Sequence, residues 1–201
     1  MQYILTEKEL ARVLSYTSPE YHKSEAIDLF KFSYYTGISV RDIMVLTEDN
    51  FIGNKLSYMR KMTSQEFIIP LSQEAMDLAS TYRNRIKCGK YVFLNTTENR
   101  KLFPKDKRSS ATSIDVIIRR PCMRTNFYLE KIGKELDLQM PLTTYVARNS
   151  CRHQLIRSGV PLDAIAELLG NSYKKTTPCS SLVKPEYNYR EFMGYLVLKK
   201  K

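Results

Sequence analysis

The sequence predicts a mixed α+β domain, mainly α-helical with a small antiparallel β-sheet. Three observations carry that reading. Apolar residues recur at spacings of three and four through most of the chain, the period of a helix with one buried face. The period changes over Lys55-Leu-Ser-Tyr-Met59 and Glu66-Phe-Ile-Ile-Pro70, which read as two strands around a polar turn at 61–65. Gly37, Gly159, Pro161 and Gly170 then punctuate the helical segments where helices end and begin.

Taken in order, Thr6 caps a helix through Leu10, with Glu9 at the capping-box position. Ser24 to Tyr35 carries Ile27, Phe30 and Tyr34 on one stripe and stops at Gly37. Ser39-x-x-Asp42 restarts a short helix through Ile43 and Leu46. After the strand pair, closed by Pro70, a helix is expected over Gln73 to Arg83 behind Ser72, then an extended segment at Tyr91-Val-Phe-Leu94. Residues 95–121 read as the least regular part. The basic run Lys101, Lys105, Lys107, Arg108, Arg119, Arg120 and Arg124 falls there and just after; it is either a loop lying on phosphates or a solvated insertion. Helices are then expected over Asn126 to Leu136, over Leu142 to Ser158 with Thr143 or Thr144 as cap, and over Pro161 to Leu169. Tyr187, Tyr189, Phe192, Tyr195 and Leu196 make an apolar tail that packs at home or reaches into a neighbour.

With 201 residues the chain can bury one sizeable core, and 43% apolar residues set it apart from disordered sequences. Lys and Arg outnumber Asp and Glu by 32 to 21, a net +11. That surplus points to an anionic partner, nucleic acid foremost, against the plainer reading of a soluble basic surface. No apolar run has the length of a membrane span, and Glu7, Lys8 and Glu9 interrupt any signal-like start. Cys88, Cys122, Cys151 and Cys179 lack metal-ligand spacing, and only His22 and His153 could join them. Reduced cysteines and no metal or other cofactor are therefore expected.

Three segments, in order, carry a family resemblance. Tyr35-Thr-Gly-Ile-Ser-Val-Arg-Asp-Ile-Met-Val-Leu46 is followed by Thr47-Glu-Asp-Asn50. Arg60-Lys-Met-Thr-Ser-Gln-Glu-Phe-Ile-Ile-Pro-Leu71 has the look of a hairpin ending in Ile-Pro-Leu. Leu142-Thr-Thr-Tyr-Val-Ala-Arg-Asn-Ser150 precedes Gly159-Val-Pro-Leu-Asp-Ala-Ile-Ala-Glu-Leu-Leu-Gly170 and Lys175-Thr-Thr177. Together they resemble the boxes of the catalytic domain of tyrosine recombinases, the phage integrases. The resemblance implies that residues 1–201 form one integrase-like catalytic domain, without the N-terminal core-binding domain that family members usually carry. It also implies double-stranded DNA as partner, homo-oligomers on DNA through the tail at 179–201, and a bacterial-type cytoplasmic location on the nucleoid.

Such a family cuts a DNA strand through a phosphotyrosine link and reseals it to another. Two arginines suit the charge gathering on the phosphate oxygens, a lysine and histidines manage protons, and a tyrosine attacks. Carried over by position, the second arginine is Arg148. The first falls on Ser39, with Arg41 two residues on, about 200° away around a helix. The histidine slots hold Tyr145 and Asn171. The hairpin lysine slot falls on Met62, so Lys61 serves if the turn slips by one. The nucleophile slot, nine residues after Asn171, holds Ser180, which is otherwise a plain loop residue. Tyr187 and Tyr189 are either displaced nucleophiles or packing residues. Arg41, Arg60, Lys61, Arg152, Lys174 and Lys175 are the residues expected on DNA phosphates.

The resemblance therefore implies a recombination or integration domain with a degenerate site; an active enzyme with a displaced tyrosine is the alternative. A helix-turn-helix regulator over Ser158 to Thr177 is the reading of another class, weakened by the short stretch after Gly170.

Overall fold

Thr6 starts the fold with the reciprocal cap its sequence announces. Its hydroxyl accepts the Glu9 N–H at 3.3 Å while a Glu9 carboxylate oxygen accepts the Thr6 N–H at 2.9 Å. The helix that follows, α1 (Glu7–Ser15), buries Leu10 and Val13. This is a computed structural model, and it describes residues 4–60, 65–84, 91–94, 114–170 and 187–197.

Helix α2 (Tyr21–Thr36) is the centre of the molecule. The sequence promised one buried stripe, but Leu29 and Phe32 are buried together with Ile27, Phe30 and Tyr34. A helix apolar on more than one side must be surrounded. It packs against α4 (Gln73–Arg83), α5 (Ile114–Glu135) and α6 (Thr144–Arg157). Gly37 ends it at φ +69°, its N–H donating to the Ser33 carbonyl at 2.8 Å. The chain then reverses into α3 (Val40–Ile43), capped by Ser39.

The antiparallel sheet has the order β1 (Phe51–Ile52), β2 (Lys55–Arg60), β3 (Gln65–Pro70). Its register sets Leu56 opposite Ile69 and Tyr58 opposite Phe67, and these four side chains face the core. Met59 and Ile68 alternate to the open face, as does Ile52 on β1. Arg60 has the parity of Leu56 and Tyr58, so β2 carries it toward the interior rather than toward solvent. Tyr91 bridges to Thr47, and the Val92 N–H donates to the Leu46 carbonyl at 2.8 Å.

One expectation needs correction. Part of the stretch read as irregular, from Ile114 onward, is helical, and α5 runs unbroken to Glu135. Proline inside a helix removes one backbone bond and disfavours the preceding turn, which is why the sequence reads as a break at Pro121. Here the ring is buried in the stripe Ile118, Pro121, Thr125, Leu129, Ile132, and Thr125 Oγ1 donates to the Pro121 carbonyl at 2.9 Å.

Thr143 caps α6, its hydroxyl accepting the Val146 N–H at 3.3 Å. Helix α7 (Leu162–Leu169) follows the Gly159 turn and ends at Gly170, φ +61°. Helix α8 (Tyr189–Gly194) packs on its own chain, burying Tyr189 and Met193, with Leu196 buried just beyond it. No helix among the described residues is long and apolar enough to cross a membrane.

Candidate functional site

Two arginines meet the carboxyl ends of two helices. Arg148, on α6, donates from Nη1 to the Gly37 carbonyl at 2.7 Å and from Nη2 to the Leu169 carbonyl. Arg60, at the end of β2, donates from Nη1 to the Gly170 carbonyl. Helix carboxyl ends carry unpaired carbonyls and the negative end of the macrodipole, so a guanidinium is their natural complement. The result ties α2, α6, α7 and the sheet together at one point.

That point is also crowded. A Cβ on Gly170 would lie 2.6 Å from both Arg60 Nη1 and Phe67 Cζ, and one on Gly37 would collide with Leu169 Cδ2. Burial holds the Arg148 pKa below the ordinary arginine value, and the neighbouring Arg60 guanidinium adds to the shift. Tyr58, Cys151 and Asp42 act in the opposite direction. Burial likewise pushes the Cys151 thiol up to about 12, which makes it an inert core residue.

Above this clamp lies a cleft of about 510 Å³ between α3, α5 and α6. Arg41, Arg119 and Arg148 all line it, with Tyr145 and Ser39. Arg41 and Arg119 are exposed, and neither makes an ion pair or hydrogen bond with another described residue. The slot of the first family arginine is thus filled by Ser39, whose hydroxyl accepts the Asp42 N–H at 3.3 Å and donates to Asp42 Oδ2 at 2.6 Å.

Arg41 reaches the cleft although helical phase alone would turn it away. Ser39 is the cap and has extended backbone (φ −69°, ψ 147°), so the 100° steps of a helix begin only at Val40. Tyr145, in the first turn of α6, is 64% exposed on the same cleft. Arg152 is exposed one turn beyond Arg148 but does not line the cleft. Arg119 is the residue missed as a site residue. Its signal was the basic run, hidden because the segment read as a loop.

Tyr187 donates its hydroxyl to Asp163 Oδ2 at 2.7 Å, and Tyr189 donates to Glu167, both acceptors on α7. Lys61, Asn171, Lys174, Lys175 and Ser180 lie outside the described residues. Among the described residues, no group of three or more His, Cys, Asp or Glu side chains is placed to hold a metal ion.

A small antiparallel sheet on a helical body is the fold of the catalytic-type domain of the tyrosine recombinases and integrases. Residues 4–179 match the Phage integrase family, and the chain belongs to it. The tyrosine recombinase XerD of Halalkalibacterium halodurans is 24% identical over 153 residues, 74% of this chain and 46% of that protein. The chain therefore spans about half the length of this relative. Its fold is similar to the lambda integrase catalytic core, with TM-score 0.56 at 15% identity over 87% of this chain and 95% of that one. It is also similar to the XerH site-specific recombinase solved with its difH substrate: TM-score 0.60, 14% identity, 85% of this chain and 48% of that one. Membership in this family leaves the helix-turn-helix regulator without support.

Proposed function

We propose that this chain is the DNA-binding, catalytic-type domain of a recombination or integration protein, and that its own site does not cut. The observation that carries the reading is the cleft itself. Three arginines converge there, two of them unpaired by any described residue, while Ser39 and Tyr145 occupy slots the family chemistry gives to arginine and histidine. The remaining proton-transfer and nucleophile slots, Asn171 and Ser180, are equally unsuited by residue type. Loss of a single charge-stabilising donor slows such reactions by about 10²–10³. Several losses together with the tyrosine leave a domain that grips phosphate without attacking it.

A displaced tyrosine is disfavoured because the Tyr187 and Tyr189 hydroxyls already serve α7 carboxylates, and Tyr189 is buried. The XerH recombinase, similar in fold, was solved bound to its difH substrate, which supports DNA as the partner here; a place in the cytoplasm, on the nucleoid, goes with membership in the integrase family. Assembly of copies on DNA belongs to the same reading. Exchange of the tail between copies would first have to release Tyr189, Met193 and Leu196 from their own chain.

Duplex binding, followed by fluorescence anisotropy against salt concentration, tests the DNA half of the proposal. Affinity should fall steeply with salt. Arg41→Ala and Arg119→Ala should each weaken binding similarly for all sequences and flatten the log–log slope by about 1. Salt-independent binding, or no effect of either substitution, would contradict it.

A further inference from the structure

The cleft is not lined as a simple phosphate site would be. Phosphate calls for donors on every side, yet only part of the lining is polar (the arginines with Ser39, Asn126 and Thr144), and the rest is apolar. Met123 and Tyr145, both on its lining, are 63% and 64% exposed, and Cys122 and Val40 add to the same wall. The Tyr145 ring and the Met123 thioether give the cleft an open apolar surface on which something flat can stack.

Two further features give the cover a chemical class. Arg41 and Arg119 stand on the same lining, from α3 and α5, as anchors for an anion. Asn126 also lines it. Its side-chain oxygen is taken by the Thr144 N–H at 3.0 Å, which leaves the amide nitrogen as a donor with no acceptor among the described residues. A flat ring with hydrogen-bond acceptors on its edge and a phosphate on either side is a nucleotide. The volume, about 510 Å³, falls in the range that admits a group of that size.

We infer that the cleft takes an unpaired nucleotide of its DNA, the base stacked on Tyr145 against Met123 and the flanking phosphates held by Arg41 and Arg119. The inference rests on the DNA-binding reading and adds a substrate class to it: duplexes carrying an extrahelical or unpaired base. Tyrosine rather than histidine at position 145 then has a use. Stacking of a base on an aromatic side chain is tolerant of base identity and strengthens binding by roughly five- to 150-fold per base.

The full 201-residue chain is titrated with three labelled duplexes of one sequence. One is fully paired, one carries a single-base bulge of 2-aminopurine, and one carries an abasic residue in place of that base. The bulged duplex should bind about tenfold tighter than the other two, with a change in 2-aminopurine emission on binding. Tyr145→Ala should erase that ratio and Tyr145→Phe should keep it. Equal affinity for all three duplexes overturns the inference and leaves the DNA-binding reading standing. The same holds if the abasic bulge binds as tightly as the base, or if Tyr145→Ala retains the ratio. Binding to none of the three overturns both.

Discussion

Replacing Arg148 by alanine is expected to lower the stability of the domain by about 2–4 kcal/mol and to weaken its engagement of DNA phosphate. The stability loss follows from the two carbonyls it satisfies, at Gly37 and Leu169. Hydrogen bonds to a charged donor contribute about 1.5–3 kcal/mol each, and the partly buried acceptors left behind lose that partner. Desolvation of the buried guanidinium offsets some of the gain, so the net stays below the sum. Arg148→Lys keeps the charge but gives up the planar fork, and should fall between wild type and alanine. Urea denaturation checks this: the midpoint should drop in the order wild type, lysine, alanine with little change in slope. An alanine variant with the wild-type midpoint would mean that the clamp does not hold the helix ends.

Gly37→Ala should be comparably damaging for a different reason. Its φ of +69° is left-handed, which disfavours alanine by about 1–2 kcal/mol. The new methyl would also drive into Leu169 Cδ2, and overpacking of that kind costs typically about 1–3 kcal/mol. Gly53→Ala makes the control. It shares a positive φ of +59° but has nothing within 4 Å of the added methyl, so only the backbone effect should appear. The double variant Gly37→Ala/Leu169→Ala should fall short of the sum of its single losses, because the second change makes room for the first. Equal effects at Gly37 and Gly53 in thermal denaturation would show that Leu169 is not pressed against the turn.

Most of the fold was legible because its signals are local. The Thr6/Glu9 box, Gly37, Ser72, Thr143 and Gly170 each act within a turn of their own position, and each caps or ends a helix in the structure. Pro121 misled because its helix penalty is local too, whereas the burial that outweighs it comes from packing α5 against α2. The site was harder to read. Arg148 was found by its motif, but its partners lie 111 and 21 residues away in sequence, at the ends of other helices. Strand parity already aimed Arg60 inward, yet the carbonyl it meets is 110 residues on. Arg41 seemed badly phased because the count began at Ser39, which caps the helix from outside it.

On the proposed function, the domain holds DNA and does not attack it. A nicked suicide duplex, whose cleavage would release a short strand and trap any phosphoprotein link, tests that directly. The chain should shift the duplex in a native gel, and the same samples should show no covalent protein–DNA adduct after denaturation. An adduct mapped by peptide mass to Tyr187, Tyr189, Ser180 or any other side chain would contradict the account and restore a working nucleophile.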